Sequence, residues 1–420
     1  MKTKTRAIEI EPLVPARTSG VLGPFAFRDY RLLWTGLLIS NLGTWMQFTA
    51  LGYLVVAIAP TARLGALYVG ILGASNAIPA LLLSPFAGVV ADRFPRRRVL
   101  LATNVMTSLI ALVLALLSQF HGLALWEIFV LSGARAATQS FDAPARQSWV
   151  PLLVPREFVG NAIGLNSIAF NGPSVIGPPL AGALILTVGV QTAFYFNAIS
   201  TLAVVVALVL MQPAPPSSTV REPVLRAITA GARYLFSHRV LRSIVTLLLV
   251  TCICVRPYSQ LMPAYAAHVV HVDARGLGML LAASGVGAIV GSIITAIVGA
   301  RRRGVVWFVS AIVMSVASML LGLTHVFVVA LVILVVLGMS VLSFTGSSNV
   351  LLQTLSPDEM RGRAISVFSM IMLGLVPAGS LALGSLATVI GLSHAMVIGG
   401  AVSLVVTGAV FMHNAALREV

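Results

Sequence analysis

Five polar residues in one apolar stretch, Ser132, Arg135, Gln139, Asp142 and Arg146, follow one another at steps of three, four, three and four. That spacing sets all five on one face of a helix. Two arginines, an amide and a carboxylate aligned in this way could hold a charged group, or hand on a proton, inside apolar surroundings. A second cluster, Gly88-Val-Val-Ala-Asp92-Arg93-Phe-Pro-Arg96-Arg97-Arg98, packs its charges between two long apolar runs. Such a cluster fits a short turn at a membrane surface, and arginines collect on the cytosolic side. Elsewhere Asn41, Thr44 and Gln47 share helical spacing, and Arg256 stands alone before Pro257.

The elements that must position these residues are membrane helices. Hydrophobic residues make up 58% of the 420-residue chain and charged residues 9%, where a soluble domain carries about 25% charged. Runs long enough to span a bilayer, which takes about 20 residues, fall near 31–59, 65–91, 98–119, 124–146, 160–187, 191–211, 240–267, 276–300, 304–323, 326–348, 364–389 and 393–413. These are twelve, an even number, so both termini are expected on the same side. Residues 1–30 carry Lys2, Lys4, Arg6, Glu9, Glu11 and Arg17 without an apolar core, which reads as a cytosolic tail and not a signal peptide. Gln212-Pro-Ala-Pro-Pro-Ser-Ser-Thr, followed by Arg221, Arg226, Arg233 and Arg239, reads as a central linker with an interfacial helix. The expected organisation is a tail (1–30), a six-helix half (31–211), a cytosolic linker (212–239), a second six-helix half (240–413) and a cytosolic tail (414–420).

The net charge of +15 does not point to nucleic acid. In this topology 23 of the 27 Lys and Arg lie on the cytosolic side, with Arg63 and Arg275 outside and Arg135 and Arg256 at membrane depth. That distribution is the positive-inside pattern, not a polyanion-binding surface. Cys252 and Cys254, two residues apart on one helix, point to different faces and form no disulfide framework. Both lysines lie at positions 2 and 4, so no phosphate-binding loop lysine exists. The histidines have no metal-ligand spacing, no nucleophile–base arrangement suggests an enzyme, and no cofactor is implied.

The two halves resemble each other. Leu153-Val-Pro155-Arg-Glu157-Phe-Val-Gly160-Asn-Ala162-Ile163 aligns with Leu355-Ser-Pro357-Asp-Glu359-Met-Arg-Gly362-Arg-Ala364-Ile365 at a shift of 202 residues, which extends to Gly177/Gly379 and Gly182/Gly384. Internal repeats of this kind mark transporters built from related halves.

The pattern G-x-x-x-D-R-x-x-R-R at Gly88–Arg97 resembles the loop 2–3 signature of the major facilitator superfamily, with Pro95 in place of its second glycine. Phe27-Arg28-Asp29-Tyr30-Arg31, Phe141-Asp142-Ala-Pro144-Ala-Arg146-Gln147 and Pro357-Asp-Glu-Met-Arg361-Gly362-Arg363 are similar to the exporter branch holding enterobactin and multidrug carriers. The resemblance implies an all-α membrane fold of twelve transmembrane helices in two pseudosymmetric halves. It implies a conformational latch role for Gly88 and Asp92, which Arg93, Arg96 and Arg97 beside them would share; Asp142, near the cytosolic end of its helix, is expected to pair with Arg96 in support of that latch. It also implies that the first, fourth and tenth helices line a central cavity, with Asn41, Gln47, Arg135 and Gln139 on it. Gly177-Pro178-Pro179-Leu-Ala181-Gly182 resembles the antiporter motif, for which Gly285, Gly287 and Gly291 would be the matching small-residue face.

Blander readings stand beside these. The arginines of the turn could only fix topology, Arg135 could pair with Asp142 or a helix carbonyl, and Arg256 could snorkel outward or face the substrate. The expected protein is a secondary transporter of the inner membrane, exporting small amphipathic molecules in exchange for protons. An importer of an anionic metabolite, with Arg135 and Arg256 as counter-charges, is one alternative, and a non-transporting sensor or scaffold is another.

Overall fold

The structure, a computed structural model, describes residues 20–120, 122–211, 224–297 and 303–413. Apolar runs bounded by turn residues become the helices α1 (Arg28–Ile58), α2 (Ala62–Arg93), α3 (Arg96–Phe120), α4 (Leu125–Trp149), α5 (Val159–Asn171), α6 (Pro173–Thr187) and α7 (Gln191–Leu210). After α8 (Val224–Ser237) come α9 (Arg239–Cys254), α10 (Tyr258–His268), α11 (Ala274–Ile297), α12 (Arg303–Leu323), α13 (Phe327–Thr354), α14 (Asp358–Ile390) and α15 (Leu392–His413). Among the described residues there are no strands. Helices suit a bilayer because they satisfy their own backbone groups within one segment.

Two crossings are interrupted where the sequence removes a backbone donor. Proline has no N–H, so the helix from Val159 restarts at Pro173 after Gly172, and the one from Arg239 breaks at Val255-Arg256-Pro257. Counting each as one crossing gives, among the described residues, twelve long helical segments besides α8. Ten of these are long and apolar enough to span a membrane. The other two are α1 and α4, with 31 and 25 residues. α4 carries Glu127, Arg135, Asp142 and Arg146, which lower its hydropathy and mark it as an interior helix. Glu127 also closes the start of α4, accepting the Ala124 N–H at 2.9 Å.

The first half packs α1 on α7 and α6, α2 on α4, and α3 on α4 and α7. The second half repeats that plan with α9 on α15 and α14, α11 on α13, and α12 on α13 and α15. The halves join where α2 lies along α14 and α6 along α11. α8 falls within the expected linker and packs on α14 and α9, with Gly231 against the Arg363 carbonyl. Residues 1–19, 212–223 and 414–420 of the expected tails and linker lie outside the described residues.

One end of the bundle carries the α2–α3 turn with Arg96, Arg97 and Arg98, and is called the arginine face below. Contact between the halves is concentrated away from it. α6 runs along α11 whereas α5, nearer the arginine face, barely touches it. Beta carbons placed on Gly160 and Gly164 of α5 or Gly362 of α14 would meet nothing within 4 Å. On the opposite side a beta carbon on Gly278 would sit 2.5 Å from the Pro178 carbonyl, and one on Gly384 2.6 Å from that of Ala66. The halves are therefore closed away from the arginine face and parted towards it.

Candidate functional site

At the junction of the halves, α1, α2, α4 and α10 enclose a cavity of about 210 Å³. Phe48, Leu51, Leu72 and Pro263 give it apolar walls, and Gln47, Asn76, Arg135 and Gln260 face it with polar groups. Each helix supplies its polar residue in a specific pose. Gln47 accepts the Asn197 amide at 2.5 Å through its Oε1, which leaves its Nε2 buried without a partner. Asn76 donates to the Leu72 carbonyl at 2.7 Å, which leaves its Oδ1 in the same condition. Arg135 Nε and Gln260 Oε1 are likewise buried without a hydrogen-bond partner among the described residues. Gly73 leaves room for that amide, since a beta carbon there would lie 2.7 Å from Gln260 Oε1. Ser380 Oγ on α14, close to the same glycine, is a further unpartnered oxygen.

A buried polar group without a partner costs about 1–3 kcal/mol. Two unpartnered donors and two unpartnered acceptors, on residues of four helices that line one cavity, form a site for a guest with complementary acceptors and donors. Asn76, Gln260 and Ser380 were not among the sequence candidates. An amide inside a membrane-spanning helix is the signal that marks Asn76 and Gln260.

The expected site residues divide between places. Arg135 and Gln47 lie on the central cavity. Asn41 and Gln139 line a separate cavity of about 320 Å³ inside the first half, nearer the arginine face. Arg256, in the break between α9 and α10, donates to Thr345 Oγ1 of α13 at 2.5 Å and does not line the central cavity. The serines of the tenth crossing serve packing: Ser343 donates to the Gly291 carbonyl at 3.2 Å, and Ser340 to that of Val336.

Asp142 does not pair with Arg96. Its carboxylate meets Arg146 at 3.2 Å and accepts from Asn104 at 2.9 Å and Thr103 at 3.3 Å. The reason is register: Arg146 is one turn further along α4, and α3 presents both polar side chains at that level. Arg146 also stacks its guanidinium 4.3 Å from the Phe170 ring centroid. Arg97 donates to the carbonyls of Leu208 and Val209, both at 2.7 Å, and so caps the carboxyl end of α7 within its own half. Gly88, Asp92 and Arg93 end α2, and their side chains lie outside the described residues.

The motif-like block on α6 packs on α11. A beta carbon on Gly177 would meet Trp45 of α1 at 2.8 Å, Gly182 lies against the Ala274 carbonyl, and Gly278 against that of Pro178. Of the glycines expected opposite it only Gly285 faces α6, through Ser174. Gly287 and Gly291 lie against Val335 and Met339 of α13.

Two related six-helix halves closing over a cavity with buried polar groups define a membrane transporter of the major facilitator type. Residues 19–420 match the transmembrane secretion effector family, and the chain belongs to that family of the major facilitator superfamily. It is 27% identical to the multidrug efflux pump Tap of Mycobacterium tuberculosis, over 83% of this chain and 85% of that one. It is 30% identical to the enterobactin exporter EntS of Citrobacter koseri, over 66% of each chain. The crystal structure of a D-xylose-proton symporter superposes with a TM-score of 0.72 at 13% identity, covering 94% of this chain and 99% of that one, which is a likeness of fold alone.

Proposed function

We propose that this transporter is a secondary active exporter of the bacterial inner membrane, moving small amphipathic compounds outward by alternating access in exchange for protons. The observation that carries this reading is the convergence of unpartnered polar atoms from both halves on one cavity at their junction. A guest held there touches α1, α2 and α4 of the first half and α10 of the second, so its binding energy depends on how the halves stand. Arg135 and the Gln47 amide nitrogen hold acceptor groups, Asn76 and Gln260 hold donors, and Phe48, Leu51 and Leu72 take the apolar part.

The arginine face is then cytosolic, with both termini on that side. Opening towards it gives the state that loads substrate, and Asn41 and Gln139 line the approach. Gly88, Asp92, Arg93 and Arg96 latch the halves when they close on that side, by bridging to the start of α14. Arg97 and Asp142 support the latch from within the first half. Pro178 and Gly182 give the close α6–α11 contact on the far side, where an exporter must open, and Gly177 seats the same helix on α1. The relatives named for drug efflux and enterobactin export support the outward direction. Arg256 is engaged by Thr345 away from the cavity, which weighs against an importer using two arginine counter-charges.

Counterflow in proteoliposomes tests the reading, with catecholate siderophores and cationic dyes as the panel. Saturable exchange of a labelled member against its unlabelled form is expected. No exchange of any member would contradict it and favour a scaffold.

A further inference from the structure

Opposite the arginine face a second space between the halves, of about 490 Å³, is lined by Arg63, His268, His325 and His394. They come from four segments: the first turn of α2, the last residue of α10, the α12–α13 turn and the first turn of α15. The concentration is unusual for this chain. Of its 27 Lys and Arg, only Arg63 and Arg275 are expected on this face, and three of its seven histidines line this one space. No Asp or Glu lines it among the described residues. Asp273 lines the neighbouring pocket together with His268, His271 and Tyr53, and accepts the Gly276 N–H at 3.0 Å.

The imidazoles are oriented. His394 Nδ1 bonds the Ile390 carbonyl at 3.0 Å and His325 Nδ1 bonds that of Val269 at 3.4 Å. A carbonyl can only accept, so both Nδ1 atoms carry hydrogen and each Nε2 is left for other partners. His268 Nε2 is buried without a hydrogen-bond partner, against Gly65. In the neutral His325 and His394 rings Nε2 accepts, and once these rings are protonated both donate. The carbonyls at Ile390 and Val269 end α14 and α10, where the helix dipole favours imidazolium, while the first turns of α2 and α15 border the space with free N–H groups.

We propose that this vestibule is an acid-dependent anion site: under mildly acidic conditions the His325 and His394 rings and Arg63 together bind the carboxylate or phosphate of a small soluble molecule. Near neutral pH the rings present lone pairs and the site is lost. The proposal does not depend on the direction of transport or on what the central cavity carries.

The test is calorimetric titration of citrate into the purified full-length protein in dodecyl maltoside, near pH 5.5 and pH 7.5, on either side of the ordinary histidine value of about 6.5. Binding about tenfold tighter at the acidic pH is expected. That gain should disappear in Arg63→Gln and in His394→Gln, both exposed positions whose variants should melt like the parent without citrate. Equal affinity at the two pH values, or no binding at the acidic one, overturns the proposal. So does an unchanged gain in Arg63→Gln, which would place citrate on the arginine face.

Discussion

Gly182 and Gly384 make the same contact in the two halves. Gly182 seats α6 on the Ala274 carbonyl of α11, and Gly384 seats α14 on the Ala66 carbonyl of α2. They are 202 residues apart, and their repeat partners Gly177 and Gly379 each face inward to their own half, to α1 and α9 respectively. Each half therefore contributes one helix with a glycine for internal packing and a second glycine, about one and a half turns on, for packing across the junction. The two cross-junction contacts are the places about which the halves close.

A methyl group at either cross-junction glycine must displace backbone. Gly182→Ala and Gly384→Ala should each lose about 1–3 kcal/mol of stability, read as a lower melting temperature by tryptophan fluorescence. Gly164→Ala, in open space on α5, should be neutral or gain up to about 1 kcal/mol from helix propensity.

Unpartnered polar groups in the central cavity oppose stability while they serve binding. Asn76→Leu and Gln260→Leu should each raise stability by about 1–3 kcal/mol and lower transport. Loss of both stability and transport in both variants would contradict the assignment of these amides to substrate.

The carboxylate of Asp142 is coupled to its own helix. A double-mutant cycle of Asp142→Asn with Arg146→Gln should give a coupling of about 1–2 kcal/mol, whereas the cycle with Arg96→Gln should be additive within about 0.5 kcal/mol. Thermal or denaturant unfolding of the four variants and their parents checks both.

The latch makes a kinetic prediction. Asp92→Asn should lower turnover by about tenfold, equivalent to about 1.4 kcal/mol, with substrate affinity little changed. An unchanged export rate in vesicles would remove Asp92 from the latch.

Much of this was legible before any coordinates. The apolar runs coincide with the long helical segments of the described residues because helices satisfy their own backbone groups in hydrocarbon; Arg256-Pro257 stands at one of the two breaks, while the break at Gly172-Pro173 is visible only in the structure. Helix ends were less visible: α13 continues to Thr354 and α14 starts at Asp358, beyond the apolar runs, since helices persist where hydropathy has already fallen. Asn76 and Gln260 carried no face of their own, and only the approach of α2 to α10 makes them a pair. The glycines of α11 were misread because Gly285 and Gly287 are about 200° apart on a helix and cannot share a partner. Asp142 pairs with Arg146, one turn along its own helix, and not with Arg96 of α3, a choice that the helical spacing within α4 already offers.

The central claim is a gradient-driven exporter whose cavity is anchored by Arg135. Its most direct test is efflux from proteoliposomes under an imposed pH gradient, following cationic dyes and catecholate siderophores in the parent protein and in Arg135→Ala. The account predicts movement of at least one compound that follows the gradient and is lost in the variant. Movement that ignores the gradient, or that persists in Arg135→Ala, would contradict it.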